Sequence, residues 1–254
     1  MNKWSLKNLY IKNTKILPSL VIATTLLLII STYLIIKSPA DYQQSVSVKI
    51  MYLHVPCAWI SLLCYAMMTI AAFLIIVKNG DKFCGFYLKA SAPIGAIFSL
   101  ITLLTGALWG HVSWGTWWEW DARLTSMLLL FFIYIALSAL SNAFYDTEKA
   151  NYATALLTLL GSINLPVIKF SVEWWHSLHQ PPSFFNKGLT AIDPSMLWPL
   201  LSSALAFTTL FLMLQIISIK LHITQYRLYD LQYKKIYRMR KRKLQKHLRK
   251  EKNI

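Results

Sequence analysis

Charge is what this 254-residue chain has least of: 14% of its residues are Asp, Glu, Lys or Arg, against about a quarter in an ordinary soluble domain. Acid is scarcer still, with 10 Asp and Glu beside 26 Lys and Arg and a net charge of +16. With 56% hydrophobic residues, that shortage excludes a disordered chain and disfavours a water-soluble enzyme. The basic excess does not argue for nucleic acid, because it gathers at the end of an apolar chain and forms no patch on a recognisable binding motif. There are three cysteines, Cys57, Cys64 and Cys84, and no Cys-x-x-Cys-His. They read as small apolar fillers with no disulfide, and the chain is not expected to attach haem covalently to itself.

Six stretches contain no Asp, Glu, Lys or Arg: 16–36, 50–77, 90–110, 124–145, 150–168 and 194–219. Each is long enough to cross about 30 Å of hydrocarbon as a helix. The first follows a basic leader but is too long for a signal-peptide core, so it is expected to be a retained helix. Lipid leaves no partner for unpaired backbone groups, and a six-helix bundle is the expected fold: an all-α integral membrane protein, one domain over 1–254, with 220–254 a basic tail. Neither an internal repeat nor a separate soluble domain is visible.

Sorting basic residues by flank orients the bundle. Segments 1–15, 78–89, 146–149 and 220–254 hold 21 of the 26, and segments 37–49, 111–123 and 169–193 hold five. Both termini are therefore expected in the cytoplasm. The run from Arg238 to Lys243 would lie beside anionic membrane lipid, at about 1 kcal/mol per basic residue near the surface. Topology and anchoring account for this tail, with docking of a cytoplasmic partner the sharper alternative.

The opposite, external side holds the unusual chemistry. One loop reads His111-Val-Ser-Trp114-Gly115-Thr116-Trp117-Trp118-Glu119-Trp120-Asp121-Ala122-Arg123, and another runs from Ser171 through Glu173, Trp174, Trp175, His176 and His179 to Pro181-Pro182. A membrane-interface belt would spread tryptophan over both surfaces, whereas six of the ten gather in these two segments. Clustered indoles, with Gly115 allowing close approach, suit a large planar apolar ligand.

Histidine placement narrows the ligand. His54 lies five residues past Lys49, about 7 Å along a helix, near the external mouth of the second span. Pro56 fits the first turn there. His179 is presented just before the stiff Pro181-Pro182. Either imidazole alone reads as a structural side chain at an interface. Together with the tryptophans they suit haem, whose iron accepts axial histidines, better than zinc, which wants four N or S ligands.

The segment Trp114-Gly115-Thr116-Trp117-Trp118-Glu119-Trp120-Asp121 resembles the tryptophan-rich signature Trp-Gly-x-x-Trp-x-Trp-Asp of the haem-handling membrane proteins of cytochrome c maturation. Size, six spans, Leu53-His54-Val55-Pro56 and the stretch from Glu173 to Pro181 narrow the resemblance to the CcmC, or haem exporter protein C, branch, over about residues 16–220. The signature is specific; the His-Val-Pro segment alone is weak.

The resemblance implies a protein of the cell inner membrane that holds haem b on the outer face and delivers it to the haem chaperone CcmE, beside the small protein CcmD and the ABC transporter subunits CcmA and CcmB. It matches His54 and His179 to the axial ligands, and Trp114, Trp117, Trp118, Trp120 and Asp121 to the loop that meets haem and chaperone. The residues themselves suggest more. Arg123 suits a haem propionate, and Asp121 either orients a donor or simply starts a helix.

His176 is a weak candidate as spare ligand, since the family usually has another residue there. His111 could meet a propionate, and His222 and His247 fall on the cytoplasmic side. Ion-coupled export is disfavoured by spans without midplane acid or base. A bis-His electron carrier would bury its ligands between paired helices. The related cytochrome c synthases, which attach haem to the apocytochrome, are longer and carry further histidines within their spans. The expected protein therefore transfers haem and is not an enzyme in the strict sense.

Overall fold

The computed structural model describes residues 3–78, 82–144, 146–175, 177–179 and 192–251. Seven α-helices follow one another: α1 (Lys3–Lys37), α2 (Met51–Val77), α3 (Lys82–Trp114), α4 (Ala122–Ala143), α5 (Thr147–Gly161), α6 (Asn164–Trp174) and α7 (Pro194–Glu251). A short 3-10 turn, Val46–Ile50, leads directly into α2. Taking α5 and α6 as one segment, six helical segments are long and apolar enough to cross a membrane, and no strand occurs among the described residues.

The fifth segment breaks because Pro166 has no N–H for the carbonyl of Ser162 and its ring crowds that carbonyl. The carbonyl instead accepts from the Leu165 amide at 3.1 Å, a tighter turn that redirects the chain. At the same place the Tyr65 hydroxyl, which donates to the Thr158 carbonyl at 3.1 Å, fills the space a side chain at Gly161 would need. The redirected α6 is held to α4 by the Asn164 amide, which donates to the Ser126 carbonyl at 2.8 Å.

Helices α2 and α3 form the centre, with α4, α5 and α7 against them and α1 packed along α7. The core joins Ile60, Tyr65 and Met68 of α2, Leu88 and Phe98 of α3, Leu130 and Tyr134 of α4 and Phe211 of α7. In lipid, close backbone approach and hydrogen bonds between helices do what hydrophobic burial does in water. Tyr134 lies against Gly95, where any β-carbon would collide with its ring, and its hydroxyl donates to the Ser61 carbonyl at 2.6 Å. Cys57, Cys64 and Cys84 are buried and free.

Pro56 matters for position. Its missing N–H releases the Tyr52 carbonyl, which accepts the Ser203 hydroxyl of α7. The first turns of α2 are thereby fixed against α7 one residue or two from His54.

Two helices run beyond their charge-free stretches. Helix α3 continues through Gly110 to Trp114, so His111 and Trp114 stand on its last turn and not in a loop. Helix α7 has 58 residues, about 87 Å at 1.5 Å per residue, and carries the basic tail as an unbroken helix. No separate helix centres on Trp174 and Trp175: α6 ends at Trp174 as part of the fifth segment.

Candidate functional site

The start of α2, the end of α3, the start of α4 and the end of α6 meet at one end of the bundle. His54, on the first full turn of α2, has its Nδ1 3.0 Å from the Thr105 hydroxyl of α3. That hydroxyl donates to the Ile101 carbonyl at 2.6 Å, so toward the ring it accepts, and the proton on His54 is at Nδ1. A β-carbon at Gly106 would stand 3.0 Å from the imidazole, so the glycine allows the ring to lie against α3. Trp109, one turn further, meets His54 edge-on at 5.8 Å and is steadied by its own N–H, which donates to Gln44 Oε1 at 2.8 Å.

His179 is anchored differently. Its Nδ1 lies 3.0 Å from Asp121 Oδ2, which also accepts the Ser177 hydroxyl at 2.5 Å. The His179 amide in turn donates to the Ser177 oxygen at 3.1 Å. The other carboxylate oxygen accepts the Leu124 amide at 2.7 Å and caps α4. Both roles open to Asp121 in the sequence are thus filled, one by each oxygen. Burial alone would raise this carboxyl, but the Leu124 amide, Ser177 and His179 together hold it below the ordinary carboxylate value. Burial likewise lowers the His179 imidazole below its ordinary value, against the opposing pull of Asp121.

The two histidines are close enough for His54 to sense the charge of His179 and of Arg123. Apart from the bonds through Nδ1, neither ring has another side-chain hydrogen bond among the described residues. Both Nε2 atoms are therefore left for a ligand.

The tryptophan loop turns at Gly115, whose φ of 76° is a left-handed value that ends α3, its amide donating to the His111 carbonyl at 3.1 Å. The Thr116 hydroxyl then donates to the Trp118 carbonyl at 2.8 Å and folds the loop on itself. Of the four signature indoles, Trp114 touches a site histidine, meeting His179 edge-on at 5.0 Å. Trp117 stacks flat on His111 at 4.1 Å, and Trp118 packs edge-on against Trp120. Trp117 and Trp120 are 55% and 75% exposed, while the Trp118 N–H is buried without a partner among the described residues. Arg123 is half-buried, its Nε donating to the Ser171 hydroxyl of α6 at 3.3 Å with Asp121 and Glu173 nearby. His176 and Gln180 to Pro182 lie outside the described residues, as does the side chain of His247.

Thr105, Gly106, Trp109 and Ser177 escape the sequence reading. The first three share a face of α3, Thr105 and Trp109 four residues apart, which is the one signal that could have tied them to a ligand on a neighbouring helix.

Fold and site define a multi-pass membrane protein with an aromatic end that presents two tethered imidazoles. The sequence model of the family described as heme exporter protein C matches residues 3–234. The heme exporter protein C of Bradyrhizobium diazoefficiens is 48% identical over 225 residues, covering 89% of this chain and 85% of its own length. Its namesake from Escherichia coli is 48% identical over 173 residues, 68% of this chain and 69% of its own. A ccmC-like mitochondrial protein of cytochrome c biosynthesis from Marchantia polymorpha is 47% identical over 163 residues, 64% of this chain and 68% of its own. The chain belongs to the haem exporter protein C family, CcmC.

Proposed function

We propose that this protein binds haem between His54 and His179 on the outer face of the cytoplasmic membrane and delivers it to the chaperone CcmE. Family membership gives the chain a role in haem handling during cytochrome c maturation. Haem here is cargo, held as haem b and passed on.

The observation that carries the reading is the matched tethering of two imidazoles at one end of the bundle. Each is bonded through Nδ1, to Thr105 in one case and to Asp121 in the other. Bonds of this kind fix the tautomer and aim the opposite nitrogen at a metal. The buried, unpartnered Trp118 N–H and the Arg123 guanidinium are donors suited to the propionates of such a ligand. The exposed rings of Trp117 and Trp120 offer a surface for the chaperone. The 21 to 5 split of basic residues supports an outward-facing site and cytoplasmic termini. CcmD and the transporter subunits CcmA and CcmB complete the set of partners.

The test is purification of the full chain from haem-replete membranes and comparison of its Soret band with those of His54→Ala and His179→Ala. Loss of bound haem in both is expected, and retention in either removes that residue from the site.

A further inference from the structure

We infer that the two histidines are unequal ligands, with His54, seated by Thr105 and Gly106, the one that releases the iron first when haem is handed on. The inference rests on the haem reading above and assigns Thr105 as the positioning residue of His54.

The inequality lies in what each Nδ1–H donates to. His179 donates to a carboxylate, and Asp121 Oδ2 is itself fixed by Ser177 while Oδ1 is fixed by the Leu124 amide. A hydrogen bond to an anion is roughly twice as strong as one between neutral groups, and it draws the proton away from the ring. The opposite nitrogen becomes more basic and binds iron more tightly. His54 donates to a neutral hydroxyl whose lone pairs are its only offer, because its proton is committed to the Ile101 carbonyl. That bond sets direction and tautomer but adds little basicity.

Packing matches the same division. The His54 ring lies on the α3 backbone at Gly106 and against the edge of Trp109, on a helix turn held to α7 through Ser203. It is placed by shape and can part from a ligand without disturbing a charged network. His179 cannot be displaced without separating it from Asp121, the group that also caps α4.

In the release step the Nε2–iron bond breaks with its electron pair staying on His54. The oxidation state of the iron does not change, and a neutral donor from the receiving protein takes the vacated position. No proton moves, because Nδ1–H is bonded to Thr105 before and after.

Carbon monoxide binding to the full-length, haem-loaded protein reduced with dithionite reads this step, since CO can bind only where a protein ligand has left. Thr105→Val, which keeps the shape and removes the acceptor, is expected to speed CO binding about tenfold, the low end of what losing such a partner costs a metal site. Thr105→Ser is expected to restore the parental rate, a rescue that a merely structural role in packing would not give. Asp121→Asn is expected to accelerate CO binding less than Thr105→Val does. CO kinetics indifferent to Thr105→Val, or an acceleration in Asp121→Asn as large as or larger than in Thr105→Val, would overturn the inference, because the loop histidine would then be the one that lets go. The absorption spectrum recorded before CO separates this from failure of the haem reading. A parent without a low-spin bis-imidazole spectrum sinks that reading, whereas a parent with it and the wrong kinetics sinks only the inequality.

Discussion

At one end of the bundle Trp117, Trp120, Trp174 and Trp175 stand half-exposed around Asp121 and His179. At the other, α7 leaves its packing against Phe86 near Ile223 and Tyr226 and runs on with 13 basic residues after position 219. Polar groups at the aromatic end are few and committed: Asp121 spends one oxygen on a helix cap and the other on Ser177 and His179. At the basic end they are many and solvated, and a pair such as Lys234 with Asp230 lies on the exposed face of one helix. A solvated charge contributes through its sum, a committed one through its geometry. Orientation in a membrane needs only the sum, and ligand binding needs the geometry. Substitutions at the two ends should therefore differ in kind as well as in size.

The largest effect is expected at Asp121. Asp121→Ala removes the α4 cap, at about 1 kcal/mol, and the partner of His179, for which losses of about 10- to 100-fold in metal affinity are usual. Asp121→Asn separates the two, because asparagine still caps a helix but carries no charge. Haem titration of both variants should show most of the loss already in Asn; a loss confined to Ala would make Asp121 a cap and nothing more. Acidity gives an opposite sign. Ligation needs neutral His179, and burial already holds its folded value below 6.5, so haem binding should be flat above that pH and fail as pH falls through the lowered value. Asp121 raises that value, so Asp121→Asn should bind haem more weakly at neutral pH and yet lose it at a lower pH than the parent.

How much of this the sequence discloses follows the same division. The six spans are legible because lipid forbids charge over about 20 residues, and the run of four indoles with Asp121 is legible because nothing structural requires it there. The break before Asn164 is legible in principle from Pro166, yet apolar composition runs straight across it. The helical state of His111 and Trp114 is not legible, since a polar, tryptophan-rich segment reads as loop until Gly115 supplies the left-handed turn. Thr105 is hidden for a different reason. A threonine inside a span ordinarily bonds its own helix, as this one does at Ile101, and only the fold brings His54 to its second lone pair.

The next effect concerns delivery. The rings of Trp117, Trp118 and Trp120 contact His111 and one another, while the site histidines meet Trp114 and Trp109. Replacing the three with alanine should thus leave much of the Soret absorbance and cut haem loading of the chaperone at least tenfold, as loss of aromatic anchors does at an interface. Unchanged loading in the triple variant would reduce the loop to a membrane-interface belt and erase half of the contrast between the ends.

The smallest effect on haem is expected from the opposite end. Arg238 stands 40 residues along α7 from Trp198, about 60 Å at 1.5 Å per residue, and charges in salt solution are screened beyond about 8 Å. Replacing Arg238, Arg240, Lys241, Arg242 and Lys243 with glutamine should leave the Soret band and the CO kinetics within twofold of the parent. The same change removes five of the 21 basic residues on that side, leaving 16 against five, an imbalance still large enough to hold the orientation. Reporter fusions at the C-terminus should accordingly remain cytoplasmic. A changed haem spectrum with unchanged orientation would mean that the tail acts on the site through α7, and the two ends could no longer be treated as independent.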